Sequence, residues 1–203
     1  DASCNTFLGT NSGFFATTAS YNTAVGAGCM TNNTIGINNT ACGSSALEGA
    51  TMTGGTVGNH NVAVGTNALW VNEGSNNTAC GSSALFSNGA GSNQTGCGCA
   101  AGFHDVSGSN NTYLGALSDV SYNPTTEEPI GVFTNSTAVG ANVFINASDQ
   151  IMMGLSTQTL TVPGQTLFEQ GINAVGNSAV AGTVTATAFN VTSDYRIKSN
   201  VEP

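Results

Sequence analysis

The chain has 203 residues, 27 glycines, only 6% charged residues and a formal net charge of −9, set by eleven acids against Arg196 and Lys198. That composition excludes a helix-rich soluble protein, and the lack of Lys/Arg patches excludes nucleic acid and anionic membrane surfaces as partners. No run approaches the roughly eighteen apolar residues of a membrane span. No basic-then-apolar signal segment opens the chain, and its start at Asp1 without Met is expected of a processed or truncated piece.

From the first residues onward a short pattern recurs, most completely in residues 74–86, GSNNTACGSSALF. The glycine closing each Asn-Thr-Ala-like run falls at Gly9, Gly26, Gly43, Gly65, Gly81, Gly98, Gly115, Gly140 and Gly154, at intervals of 17, 17, 22, 16, 17, 17, 25 and 14. A period near seventeen with a few stretched steps predicts stacked coils whose insertions emerge as loops. Gly36, in NNTIG, falls outside this series. Each coil is predicted to hold two short strands separated by glycine bends, so residues 1–154 form a parallel β-roll or β-solenoid. Nine coils at strand spacing give a rod of about 43 Å.

Alternation places Thr78 and Cys80 on one face of the first strand and Ala79 on the other. In the second, adjacent Ala84 and Leu85 put apolar surface on both sides. The roll covers one side, and a parallel homotrimer covers the other without leaving an open surface. Cys42, Cys80 and Cys97 occupy the slot filled elsewhere by Leu8, Val25, Val64, Leu114, Val139 and Met153, and are expected to be free, buried thiols acting as small apolar residues. Cys97, Cys99 and His104 do not converge closely enough to predict zinc, so neither metal nor cofactor is expected.

Five residues after the repeat glycine runs a bulky column, Phe14, Trp70, Phe86 and Phe103 with Val120 next, interrupted by Thr31 and Glu48. It either seals an interface or forms an outward sugar-stacking strip. Residues 48–60 and 116–134 interrupt the period and should bulge from the rod, the second carrying Tyr122, Glu127 and Glu128. Such loops are either tolerated insertions or receptor contacts; Trp70, Tyr122, Glu127 and Glu128 are the receptor-binding candidates.

The repeat returns in residues 135–154. Residues 155–192 read as short Thr/Val-rich strands, a transition into another trimeric β element. Eight Asn-x-Ser/Thr sequons, from Asn32 to Asn190, mostly follow from the NNT repeat. His60 and His104 sit in turn-rich segments and are read as solvated turn residues. Glu127 and Glu128 point apart on an extended chain and do not make a glycosidase pair. Threonine columns at Thr6, Thr23, Thr40, Thr78 and Thr112 would suit an ice-binding face if flat, but neighbouring Asn residues and uneven spacing argue against it. Ser193 and Lys198, in SDYRIKSN, are the one credible nucleophile and base pair.

The NTAVG, NNTACG, NVAVG and NNTYLG runs resemble the head repeats of trimeric autotransporter adhesins, and more closely the NNTA-type repeats of phage and virus tail fibres. This resemblance covers about residues 5–154 and implies a left-handed, trimeric parallel β-roll. GTVTATAFNVTSDYRIKSN resembles the entry into the self-cleaving intramolecular chaperone of endosialidases and many tail fibres, here residues 193–203. It implies Ser193 as nucleophile and Lys198 as base, with Asp194, Arg196 and Asn200 matching the motif. The chaperone body should run well past Pro203, so no activity is expected of this piece. A temporary C-terminal clamp would also fix the register of near-identical coils, for which slippage by one rung is nearly isoenergetic.

The expected function is therefore structural: a homotrimeric viral or phage fibre at the virion surface, extracellular, mediating host attachment. Its partners would be itself, a host-surface glycan or protein receptor, and other fibre proteins. A bacterial trimeric adhesin and a glycan-degrading tailspike are the rival readings.

Overall fold

A computed structural model of the chain describes residues 2–49 and 57–161. Ser193, Asp194, Arg196, Lys198 and Asn200, the 155–192 segment past residue 161, and most of the 48–60 insertion lie outside the described residues.

Among the described residues the regular elements are all short strands: β1 (Thr6–Leu8), β2 (Thr23–Val25), β3 (Thr40–Cys42), β4 (Val62–Val64), β5 (Thr78–Cys80), β6 (Thr95–Cys97), β7 (Thr112–Leu114), β8 (Asp119–Val120), β9 (Thr137–Val139), β10 (Phe144–Ile145) and β11 (Ile151–Met153). Nine of them form one parallel sheet in the order β1-β2-β3-β4-β5-β6-β7-β9-β11, and β8 pairs with β10. Each coil thus lays its strand on the one before it, and the fold is all-β with the parallel stacking of a solenoid. The pairing is in register throughout, including the long steps from β3 to β4 and from β7 to β9. The longer stretch of chain between these strands does not shift their register.

Strand alternation sorts each rung into three columns. The middle column, Ala24, Ala41, Ala63, Ala79, Tyr113 and Ala138, is buried. Space there is narrow, and alanine fits it. Tyr113 follows Gly96 in this column, Gly102 leaves room beside its ring, and its hydroxyl donates to Asp105 Oδ2 at 2.6 Å. The glycine that follows each strand is dictated twice over. Gly81 has φ +142, and a Cβ on it would fall on the carbonyl of Gly98 in the next rung; the column from Gly9 to Gly115 repeats this.

The asparagine before each strand carries the second constraint. Asn22 Oδ1 accepts from Asn39 N at 2.9 Å, Asn39 Oδ1 from Asn61 N at 2.8 Å, Asn61 Oδ1 from Asn77 N at 2.9 Å, and Asn77 Oδ1 from Gln94 N at 2.9 Å. The Nδ2 groups of Asn22, Asn61 and Asn77 donate to the carbonyls of Gly36, Gly74 and Gly91. Gly36 therefore belongs to a second, inner glycine column of its own. The residue preceding each ladder position is left-handed: Tyr21, Asn38, His60, Asn76, Asn93, Asn110 and Asn135 have φ between +56 and +60, a conformation that the asparagines among them tolerate better than most residues. The Asn-Asn-Thr triplet thus encodes a turn, an internal rung-to-rung tie and a strand start.

Two expectations are corrected. Ala84 and Leu85 do not form a strand: Leu85 has φ +48, as Leu47 and Leu69 have +50 and +49, and the left-handed turn directs both neighbouring side chains into the roll. Among the described residues, a second strand occurs only where Asp119–Val120 pairs with Phe144–Ile145. Nor are Cys42, Cys80 and Cys97 buried in the chain. They are free and exposed, in a column with Leu8, Val25, Val64, Leu114, Val139 and Met153 on the outer face of the sheet. The Ala-Leu surface is therefore already covered within one chain, and the uncovered apolar surface lies instead on the sheet.

Removing a ladder side chain strands buried polar groups at about 1–3 kcal/mol each. Asn61→Ala takes the acceptor from Asn77 N and a donor from Gly74 O. It should lower the unfolding free energy by about 2 kcal/mol or more in urea titration, while exposed Ser82→Ala on the neighbouring rung stays within about 0.5 kcal/mol. Equal losses at the two positions would contradict the ladder's role.

Candidate functional site

In-register rungs force side chains at equivalent positions into stacks at strand spacing. Trp70, Phe86 and Phe103 obey this: their ring centroids are 4.9 and 4.8 Å apart, with interplanar angles of 18° and 8°. The stack continues through His104, edge-on to Phe103 at 4.9 Å and parallel to Tyr122 at 4.0 Å, and then to Phe144, 5.8 Å from Tyr122. All six rings are half-buried. Their faces cover one another and their edges stay open. Phe14 stands apart, exposed and packed edge-on against Phe15, because Thr31 and Glu48 occupy the rungs between; Glu48 Oε2 accepts from Trp70 Nε1 at 3.0 Å. Val120 leaves the column altogether and is buried.

At the lower end of the stack, the interrupted period builds a site. Asp119, 2% exposed, stands four residues after Gly115, where other coils carry Leu47, Leu69 and Leu85. Its carboxylate accepts from His104 Nδ1 at 2.7 Å, from His104 N at 3.0 Å and from Val120 N at 2.8 Å. The carboxylate holds the proton on Nδ1, so Nε2 is left as an acceptor. Burial raises the Asp119 carboxyl above its ordinary value, and the hydrogen bonds from His104 and Val120 pull it part of the way back.

The 116–134 insertion folds back as a hairpin. Ile130 N donates to Ser121 O, Asn123 N to Glu128 O and Glu127 N to Asn123 O, each at 2.8 Å. This brings Glu127 over a pocket of about 340 Å³ lined also by Phe103, His104, Asp119, Tyr122, Asn142 and Phe144. A second depression of about 290 Å³ adjoins it, between Ser121, Pro124 and Ile130, and shares Tyr122 and Phe144.

Of the residues singled out from sequence, Tyr122 and Glu127 meet in the larger pocket, and Trp70 joins it through the ring stack. Glu128 is exposed and does not line it. His104, Asp119, Asn142 and Phe144 were not singled out as binding residues. The available signal was an acid in a slot that is leucine in three other coils. His104 is no solvated turn residue, whereas His60 is exposed, with Nε2 3.2 Å from Asn38 Nδ2. The pocket presents aromatic edges, two carboxylates, an amide and an imidazole acceptor, which suits binding. Among the described residues, no serine, cysteine or threonine lines it as a nucleophile for the His–Asp pair.

No protein-family model, curated protein or solved structure matches the chain.

The raised Asp119 value has a defined sign in folding. A carboxyl whose folded value is raised contributes stability that is fully present below its unfolded value and is lost as pH rises through the folded one. Asp119→Asn abolishes that loss. The stability of the variant relative to the parent should therefore grow as pH rises above the ordinary carboxyl value of about 4 and through the raised one, read from urea unfolding at a series of pH values. A relative stability that falls with pH would contradict the assignment.

Proposed function

We propose that the chain is part of a homotrimeric viral or phage fibre, wound as a left-handed β-roll, that mediates host attachment. The observation that carries the reading is the outer column of the sheet. Leu8, Val25, Cys42, Val64, Cys80, Cys97, Leu114, Val139 and Met153 align without a charged residue over nine rungs. Leu8 is 65% exposed, Val64 41% and Met153 51%. A continuous apolar stripe of this kind marks a protein interaction surface. Identical chains cover it most simply, because a closed symmetric assembly leaves no stripe open. The resemblance of the Asn-Asn-Thr runs to fibre repeats favours three chains, and the ring stack with its adjoining pocket supplies a surface for attachment. Ser193 and Lys198 would serve autocleavage only together with a chaperone body. Bacterial adhesins share the repeat, and the choice between the two settings rests on the likeness of 182–200 to the chaperone entry.

Native mass spectrometry should give three copies. Val64→Glu and Leu114→Glu, both exposed within a single chain, should give a folded monomer. A monomeric parent, or variants that remain trimeric, would overturn the assembly. The thiols give a second readout. Cys42, Cys80 and Cys97 should react with a maleimide in the monomeric variants and be protected in the parent. Cys29, buried and pushed up to about 12 by desolvation, should react in neither until unfolding.

One further reading has an observation of its own. Thr6, Thr23, Thr40, Thr78, Thr95, Thr112 and Thr137 fall in one column of the outer face. Uneven spacing along the chain does not disturb the register, Val62 alone interrupts the column between Thr40 and Thr78, and the neighbouring ladder asparagines are buried. If the parent is monomeric and inhibits ice recrystallisation, this face binds ice instead of sister chains.

A further inference from the structure

The two depressions beside the ring stack share a wall, and that wall is aromatic. Tyr122 and Phe144 line both, the first depression adding Phe103, His104, Asp119, Glu127 and Asn142, the second Ser121, Pro124 and Ile130. The larger is within the size range of small-molecule sites, roughly 300–1,000 Å³. We propose that this double depression binds an uncharged oligosaccharide, with one sugar unit on each side of the Tyr122–Phe144 wall. The proposal gives the attachment reading its ligand class and rests on that reading.

Three features select this chemistry. First, a sugar ring offers an apolar C–H face and a rim of hydroxyls, and the depressions offer half-buried ring edges beside isolated polar groups. Second, the polar groups are those that hydroxyls pair with. His104 Nε2 and the Glu127 carboxylate accept, and the Asn142 amide both donates and accepts. The imidazole is fixed in the orientation this pairing needs, because Asp119 takes its Nδ1–H at 2.7 Å and the His104 backbone N–H at 3.0 Å, and Tyr122 stacks on its ring at 4.0 Å. Among the described residues Nε2 makes no further hydrogen bond. Third, the site cannot neutralise an anion. The described residues contain no lysine or arginine, and Asp119 and Glu127 both face the larger pocket. Sialylated, uronate-rich and sulfated glycans would meet uncompensated repulsion there.

Glu127 is the adjustable member. It stands on the hairpin of the insertion with φ +57, its backbone N–H bonded to Asn123 O at 2.8 Å, and its side chain is exposed. Its substitution should change ligand affinity without cost to the roll. Tyr122 touches both depressions, so its truncation should cost most for ligands longer than one unit.

The test is saturation-transfer NMR and calorimetry on the full chain, with N-acetylchitotriose, cellotriose, maltotriose, mannotriose and 3′-sialyllactose as probes. At least one uncharged trisaccharide should bind, its monosaccharide at least tenfold more weakly, and 3′-sialyllactose not at all. Tyr122→Ala should weaken binding tenfold or more, and Glu127→Gln several-fold with unchanged unfolding. Failure of all four uncharged probes, equal affinity for 3′-sialyllactose, or an unchanged constant in both Tyr122→Ala and Glu127→Gln overturns the proposal. A parallel retention assay on whole microbial cells separates it from the attachment reading. Cells retained equally by parent and pocket variants leave attachment standing and remove this site. Trisaccharide binding without retention of any cell leaves the site and removes attachment.

Discussion

The fold depends on a hydrogen bond that passes from one coil to the next through a side chain. In a stack of parallel rungs the sheet strands are at most three residues long, and the backbone ladder between neighbouring coils continues through the turns, as in Ser83 N to Thr66 O and Leu69 N to Ala84 O. The asparagine before the strand extends that ladder inward. Its Oδ1 takes the N–H of its counterpart one rung on, as in Asn61 to Asn77, and its Nδ2 takes a carbonyl across the interior, as in Asn61 to Gly74. At Asn22, Asn61 and Asn77 both ends of the amide are used, in a buried setting where an unpaired end would be expensive. The interior is consequently half polar, with alanines on one wall and an amide column on another, and glycines wherever the approach of the next rung leaves no room for a Cβ.

Such a stack turns a sequence slot into a line on the surface. Whatever residue type fills the slot is presented once per rung, in register, however many residues loop out between rungs. The outer sheet face becomes an apolar line and a threonine line, and the position beyond the left-handed turn becomes a stack of rings. Where the period breaks at 116–134, the same rule produces a site instead of a line. The leucine slot is taken by Asp119, the ring stack steps sideways onto His104 and Tyr122, and the hairpin places Glu127 over the gap. The candidate site thus lies where the repetition fails, which is also where a loop stands on a rigid scaffold.

The stacked parallel coils were legible because period and slot chemistry agree: seventeen residues per coil, with Thr-Ala-x-Gly at fixed places. The turn was not. Leu85 reads as a strand residue by its apolar pattern, and only its left-handed backbone, which costs a branched side chain energy locally, explains how Ala84 and Leu85 can both face inward. The same error of facing misplaced Cys80: if the turn leucine lies inside, the strand's outer residue has no chain of its own to cover it. Tyr122 and Glu127 could be singled out because they sit on a loop. Their partners could not, since His104 and Asp119 are fifteen residues apart and meet only because one coil separates them. A carboxylate in an otherwise leucine slot was the trace of that meeting.

Amide hydrogen exchange tests the central claim most directly. The N–H groups of Asn39, Asn61, Asn77 and Gln94 are bonded to side-chain oxygens of the preceding rung, so the account predicts that they exchange only through global unfolding and at one common free energy. Exchange at the rate of the exposed 123–128 turn, or at unrelated rates from rung to rung, would mean that the amide column does not hold the coils together.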